Sequence, residues 1–418
     1  MDGRQLPFGL RGDGSLDRRD FLTGAARLGA GLLGASAFGL PLMGSAAAAE
    51  PFKLGWLRPT TGRLASSFAV LYVGGLIAVD EINAAGGIMG RPIVRQEEDD
   101  EGSPAKEPAI VKKLQESGVN ILCGPTGSSQ SLASLAVTTP GKVLQATYAN
   151  GAELGDGNAY PYHYQCTFNT AQQGVVAVNY LVEVLKVKKV GILQENTAFG
   201  EQATASSKAT LAKFGLQPVD VQVYPLNAPD LNAYVGNLRK AGAEGVVAWI
   251  ANTPNLAMAF SAMASLKWAP PITGHNGLFI DAIFDLVPIE SLRNVYGTHY
   301  RSLTYTETQN PGAMQQAVAD KIATYPEAKG KGAVVAGSPY YDFLHLLKQV
   351  IEAEKSFDPV VLKRALDNVK GYKGMLGTLN FTATNHTGIA LEDIALASVA
   401  SGRTPKGSGC FRELAPGA

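Results

Sequence analysis

The sequence is poor in the residues that most site chemistry needs. Only three cysteines, Cys123, Cys166 and Cys410, occur among 418 residues. Three cannot all pair, and no C-x-x-C spacing points to a metal or redox site. One disulfide in an oxidising compartment and plain core thiols both remain open. The five histidines (His163, His275, His299, His345, His386) are scattered with no i, i+4 pair, which argues against a metal centre. Charge is scarce too: 17% of residues are charged, 36 basic against 36 acidic. A balanced chain without a basic cluster argues against a nucleic-acid surface. There is no G-x-x-x-x-G-K-[ST] loop for nucleotide phosphates, no G-x-S-x-G elbow for a serine nucleophile and no other cofactor motif. Low-complexity segments and short internal repeats are also missing.

What is there is a globular composition, 46% hydrophobic, long enough for two domains of ordinary size. The first 49 residues read as an export signal. Asp17-Arg18-Arg19-Asp20-Phe21-Leu22 resembles the twin-arginine motif. An apolar run follows from Leu28 to Met43, then the small residues Gly44-Ser45-Ala46-Ala47-Ala48-Ala49. The run is short and glycine-interrupted, whereas a spanning helix needs about 20 mostly apolar residues. Cleavage is expected near Ala49. Five arginines and four acids go with the signal, leaving 31 basic against 32 acidic residues. No later stretch reads as a membrane span, so a soluble, periplasmic mature protein is expected. Whether export runs by the twin-arginine or the general secretion route is open.

From Phe52 onward, apolar strand-like runs alternate with helical ones. Strands are expected at Phe52–Leu57, Ile93–Glu98, Val119–Cys123 and Val143–Thr147, with helices at Ser67–Ala85, Lys106–Ser117 and Ser128–Val137 between them. After the Gly-, Asn- and Tyr-rich stretch Gly151–Thr170 the alternation restarts. Helices are expected at Ala171–Leu185, Gln202–Phe214, Leu231–Ala241 and Asn255–Leu266, with strands at Val190–Leu193, Gln217–Tyr224, Gly245–Ile250 and Pro271–Thr273. Two successive α/β units imply two doubly wound parallel sheets in two lobes.

Several runs resemble a known family: Gly55-Trp56-Leu57-Arg58-Pro59-Thr60-Thr61-Gly62, Ala78-Val79-Asp80-Glu81-Ile82-Asn83-Ala84-Ala85-Gly86-Gly87-Ile88, Ile121-Leu122-Cys123-Gly124-Pro125-Thr126-Gly127-Ser128-Ser129 and Ala198-Phe199-Gly200-Glu201. Their order and spacing are similar to those of type I periplasmic solute-binding proteins, the receptors of branched-chain amino acid, amide and urea uptake by ABC transporters. The resemblance implies two α/β lobes joined by three hinge crossings, near Cys166–Asn169, Gly297–Arg301 and Gly377–Phe381. Helical segments around Ala333–Glu354 and Pro359–Val369 would return to the first lobe. The implied division is residues 50–168 with 300–377 for the first lobe and 169–299 with 378–418 for the second.

Candidate ligand-binding residues follow. Gly124–Ser129 lies between a strand and a helix, where unpaired N–H groups and a partial positive charge suit a carboxylate. Gly127 would let the backbone approach, and Ser128 and Ser129 would add hydroxyls. A serine that merely N-caps its own helix is the other reading of these residues; the resemblance implies ligand contact by Ser128. It also implies backbone contacts at the turn Tyr148-Ala149-Asn150, with Asn150 replacing a threonine, and an aromatic over the ligand at Phe199. Asn276 stands where amino-acid binders resembling this chain carry a glutamate for the ligand ammonium, which moves the reading away from a standard branched-chain amino acid unless Asp281 or another acid substitutes. Arg58, at the end of the first strand, faces the ligand crevice of a parallel sheet. It would clamp a carboxylate or form a lobe–lobe salt bridge or a solvated rim charge. Tyr341 and Asp342 start a helix that contributes cleft residues in relatives. Trp56, Tyr148, Phe199, Phe279 and Tyr341 would together suit a flat ligand.

The resulting expectation is a monomeric, non-enzymatic substrate-binding protein of an ABC importer. It would capture a small carboxylate-bearing solute, branched-chain amino acid-like or aromatic, and deliver it to a membrane permease without cofactor, metal or nucleic acid. A binding partner of a membrane sensor and a serine hydrolase acting through Gly127–Ser131 are the competing readings.

Overall fold

The computed structural model describes residues 50–418 other than 166, 281, 329–338 and 405–409. The export signal, Cys166, Asp281 and the start of the segment expected from Ala333 lie outside the described residues.

The N-terminal half forms one parallel sheet. Its chain order is β1 (Phe52–Arg58), α1 (Val73–Ala84), β2 (Ile93–Asp99), α2 (Glu107–Glu116), β3 (Ile121–Cys123), α3 (Ser128–Thr138), β4 (Leu144–Thr147) and β5 (His163–Gln165). The spatial order is β2-β1-β3-β4-β5, with every neighbouring pair parallel. β1 lies inside the sheet between β2 and β3, and its run Leu54-Gly55-Trp56-Leu57 is buried on both faces, as a strand with helices on each side requires. The stretch Ala65–Ala84 ahead of and including α1 corrects one expectation, since it is long and apolar enough to cross a membrane by length and composition. Here it is a core element: 76% of its most apolar 18-residue window is buried, and its Tyr72 ring stacks on Tyr340 and meets Trp56 edge-on, with centroids 5.0 and 5.5 Å apart. The helical stretch expected at Ser67–Ala85 opens with an α-helical turn at Ala65–Phe68, tightens into a 3₁₀ turn at Ala69–Tyr72 and continues as α1.

The second sheet follows the same logic. α4 (Thr170–Asn179) opens with a capping box, Asn169 accepting from the Gln172 backbone while the Gln172 side chain answers the Asn169 N–H. The helix ends in a wide π-helical turn, Tyr180–Val184. Then come β6 (Val190–Glu195), α5 (Ala198–Lys213), β7 (Asp220–Tyr224), α6 (Asn232–Lys240), β8 (Gly245–Trp249), α7 (Thr253–Ser265), β9 (Ile272–Gly274) and β10 (Val295–Tyr300). α5 starts one turn before the expected Gln202 because the Thr197 hydroxyl accepts from the Gly200 N–H and caps it. β7-β6-β8-β9-β10 are parallel, and an antiparallel strand completes the edge.

The chain leaves the second sheet after Tyr300. α8 (Ala313–Thr324) and α9 (Pro339–Glu354) pack on α1, and α10 (Pro359–Leu366) packs on α9. Residues 382–389 stay with the first sheet, past the crossing expected near Gly377–Phe381. Thr387 pairs in parallel with Gln165, and Gly388 donates to the Gln165 carbonyl at 2.8 Å. β11 (Ile394–Ser398), antiparallel to β10, joins the second sheet, and Leu414 bridges to its Ala397. His386 explains why the chain stays: its ring lies 4.3 Å from that of Tyr164 and its Nε2 meets Asp367 at 3.0 Å.

Candidate functional site

The C-terminal ends of both parallel sheets face one cavity of about 280 Å³. Its walls come from the loops after β1 to β4 on one side and after β6 to β9 on the other, the crevice where open α/β sheets bind ligands. Of the residues read from sequence, Gly127, Ser128, Ser129, Tyr148, Asn150, Phe199 and Asn276 line it.

The first wall is the start of α3. The chain turns sharply at Gly124, where φ is +100° and a Cβ would lie 1.9 Å from the Leu57 carbonyl oxygen. Gly127 then occupies the N-cap with no side-chain cap, so neither serine caps the helix. Ser128 Oγ instead accepts from Gly151 N–H at 3.0 Å and Ser129 Oγ from Ala198 N–H at 3.3 Å. The first-turn N–H groups of α3 therefore have no side chain of their own turn to satisfy them. Gln130 folds over this turn and donates to the Gly102 carbonyl at 2.6 Å.

The second wall carries the polar groups that meet it. Asn276 donates its amide to the Tyr148 hydroxyl across the cavity, and Asn150 donates to the Phe168 carbonyl at 2.7 Å. His275 Nδ1 accepts from Gly277 N–H at 2.9 Å, which leaves Nε2 to donate to the Ile250 carbonyl. Burial pushes its pKa down to about 4, so the ring is neutral. Phe199 stands edge-on to His275 and Trp249, with centroids 4.9 and 6.2 Å away. It belongs to the second-sheet core and to the cavity at once.

Four sequence-read residues stand elsewhere. Arg58 turns along its own sheet to pair with Glu97 at 3.1 Å, drawn by the parallel register that sets the two strands side by side. Ala149 is buried among Leu135 and Leu154. Tyr341 points to α1, its hydroxyl donating to Glu81 at 3.1 Å. Asp342 accepts from the Met375 and Leu376 N–H groups at 2.7 and 3.0 Å, holding a loop. Of the five aromatics, Trp56 and Phe279 are fully buried in the core and only Tyr148 and Phe199 reach the cavity.

Sequence reasoning missed Glu195, Thr197, Gln130 and His275 as lining residues. Glu195 is 3% exposed at the end of β6. A Gln-Glu pair closing an otherwise apolar strand is the signal that marks it.

A family model described as "Periplasmic binding protein" matches residues 51–404. The chain belongs to the periplasmic binding protein family. An "Amino acid binding protein" of Pseudomonas aeruginosa is 30% identical over 195 residues, 46% of this chain and only about half (52%) of that protein. "Leu/Ile/Val-binding protein homolog 3" of Brucella melitensis is 25% identical over 84% of this chain and 93% of its own length. Among solved structures, a branched-chain amino acid transporter substrate-binding protein of Streptococcus pneumoniae in complex with isoleucine aligns with TM-score 0.74 at 21% identity, covering 87% of this chain and 99% of that one. A solute-binding protein from R. palustris in complex with benzoate aligns with TM-score 0.71 at 17% identity, covering 84% and 93%. These identities establish the shared two-lobed fold of this periplasmic binding protein. The family is one of solute-binding proteins working outside the cytoplasm.

Proposed function

We propose that this periplasmic binding protein is the substrate-binding component of an ABC importer and holds a small carboxylate-bearing solute, branched aliphatic or aromatic, between its lobes. The observation that carries this is the start of α3: an N-cap without a side-chain cap, opening onto an apolar cavity walled by both lobes. An acid group seated there meets first-turn N–H donors and the helix's partial positive charge. Leu64, Phe68, Leu71, Phe199 and Ile280 supply the apolar surface for the rest of the molecule. The cavity's size suits an amino acid or a benzoate-sized acid, and the benzoate and isoleucine complexes of proteins with the same fold support both.

The finer assignments belong to the same reading. The lobes are residues 50–168 with 301–389 and residues 169–300 with 390–418. The protein acts as a monomer beside a membrane permease, after loss of the signal near Ala49, and carries out no reaction of its own. A thermal-shift screen of amino acids, amides, aromatic acids and sugars tests the ligand class. A ligand at 100 times its Kd adds about 2.7 kcal/mol of stability. Stabilisation by small acids supports the reading; stabilisation by uncharged sugars alone overturns it.

A further inference from the structure

Among the described residues, Glu195 is the one acidic side chain lining the cavity, and no lysine or arginine lines it. Strands β7 and β8 pair with β6 on either side and fix its position. One carboxylate oxygen accepts from the Thr197 hydroxyl and the other from the Ala251 N–H, both at 2.8 Å. Each oxygen has two lone-pair sites, so accepting capacity remains toward the cavity. A carboxylate this deep, with two neutral donors and no cation, is short of compensation. Burial accordingly pushes its pKa up to about 7. The Glu195 charge helps burial raise the Tyr224 phenol of β7, while the other titratable groups lining the cavity, His275 and the Tyr148 phenol, are neutral. The cavity thus offers donors at the start of α3 on the first lobe and an uncompensated acceptor at the end of β6 on the second.

We propose that Glu195 is the specificity-determining residue of this cavity and recognises a protonated nitrogen on the ligand. This inference rests on the proposed seating of the ligand's acid group at α3. A purely anionic ligand leaves Glu195 unpaired or requires it to bind a proton; a zwitterion pairs both ends at once.

The test is titration calorimetry with amino acids and their deaminated analogues, leucine against 4-methylpentanoate and phenylalanine against 3-phenylpropanoate, in buffers of different ionisation enthalpy. Wild-type protein should prefer the zwitterion by at least about tenfold, because truncating a buried charge pair is costly. Its binding at pH 7 should release protons as Glu195 ionises. In Glu195→Gln the preference and the proton release should both vanish while the deaminated acid still binds, which also shows that the variant folds. Equal or tighter wild-type binding of the deaminated acid overturns the Glu195 inference alone, and that comparison needs no variant. Binding of neither class overturns the seating at α3 as well.

Discussion

Gln202 and Glu153 clasp each other across the cleft. The Gln202 amide donates to the Glu153 carboxylate at 2.6 Å, and its carbonyl accepts from the Glu153 N–H at 3.3 Å. One partner follows β4 of the first sheet and the other lies on α5 of the second. With Ser129–Ala198 and Asn276–Tyr148 it makes the described arrangement a closed one. Gln202→Ala should therefore weaken closure and not touch the cavity wall. About 0.5–1.5 kcal/mol is expected from such a bond, so ligand affinity should fall about two- to tenfold, mostly through a faster dissociation rate. Stopped-flow binding checks it.

Glu107 and Asp100 form a buried acid pair behind the loop that carries Gly102 and Pro104 to the cavity. Glu107 is fully buried, and its pKa is pushed to about 10 by burial first and then by the Asp100 charge. Asp100 is raised as well, chiefly by burial. Both folded values lie above the unfolded ones, so the protonated forms favour the fold. Their stability is fully present below the ordinary carboxyl value of 4.5 for Glu107 and is lost progressively as pH rises toward about 10. The melting temperature should fall between pH 5 and pH 9, and Glu107→Gln should flatten that fall. An unchanged slope in the variant would refute the assignment.

Arg58 pairs with Glu97 away from the cavity, so Arg58→Ala should leave ligand affinity unchanged within about twofold and cost about 0–1 kcal/mol of stability, as partly exposed ion pairs do. Calorimetric binding and urea unfolding measure the two effects separately. A tenfold affinity loss would restore Arg58 as a ligand clamp.

Phe199 serves the core and the cavity together, which makes its truncation informative in both. Phe199→Ala should cost about 3–5 kcal/mol of stability if its burial counts fully, whereas Phe199→Leu should keep most of the stability and lose ligand affinity for aromatic acids more than for aliphatic ones. Urea unfolding paired with calorimetry separates the roles.

The two sheets were legible because their strands are apolar runs buried on both faces, as in Leu54–Leu57 and Val246–Trp249. β5 was not, because its buried side chains are polar and satisfied locally. His163 meets Leu154 and Thr147, and Gln165 donates to the Ala149 and Gly151 carbonyls. Composition cannot announce partners that only the fold supplies. The same applies to the cavity. Strand–helix punctuation exposes Gly127–Ser129, while Glu195 falls beyond the strand expected at Val190–Leu193 and Arg58 reads as a ligand clamp, a lobe–lobe salt bridge or a rim charge. Which way each turns depends on the neighbouring strand, Glu97 of β2 for Arg58 and the loop at Ala251 for Glu195. The interleaved return of the chain after Tyr300 came through resemblance alone, since no local pattern encodes which sheet a later helix covers.

A crystal structure of the protein with the best-binding acid tests the central claim most directly. The account predicts the acid group within hydrogen-bond distance of the backbone N–H groups at Ser128–Gln130, with the rest of the ligand against Phe68 and Phe199. A ligand outside this cavity, or one whose acid group lies away from the start of α3, would contradict it.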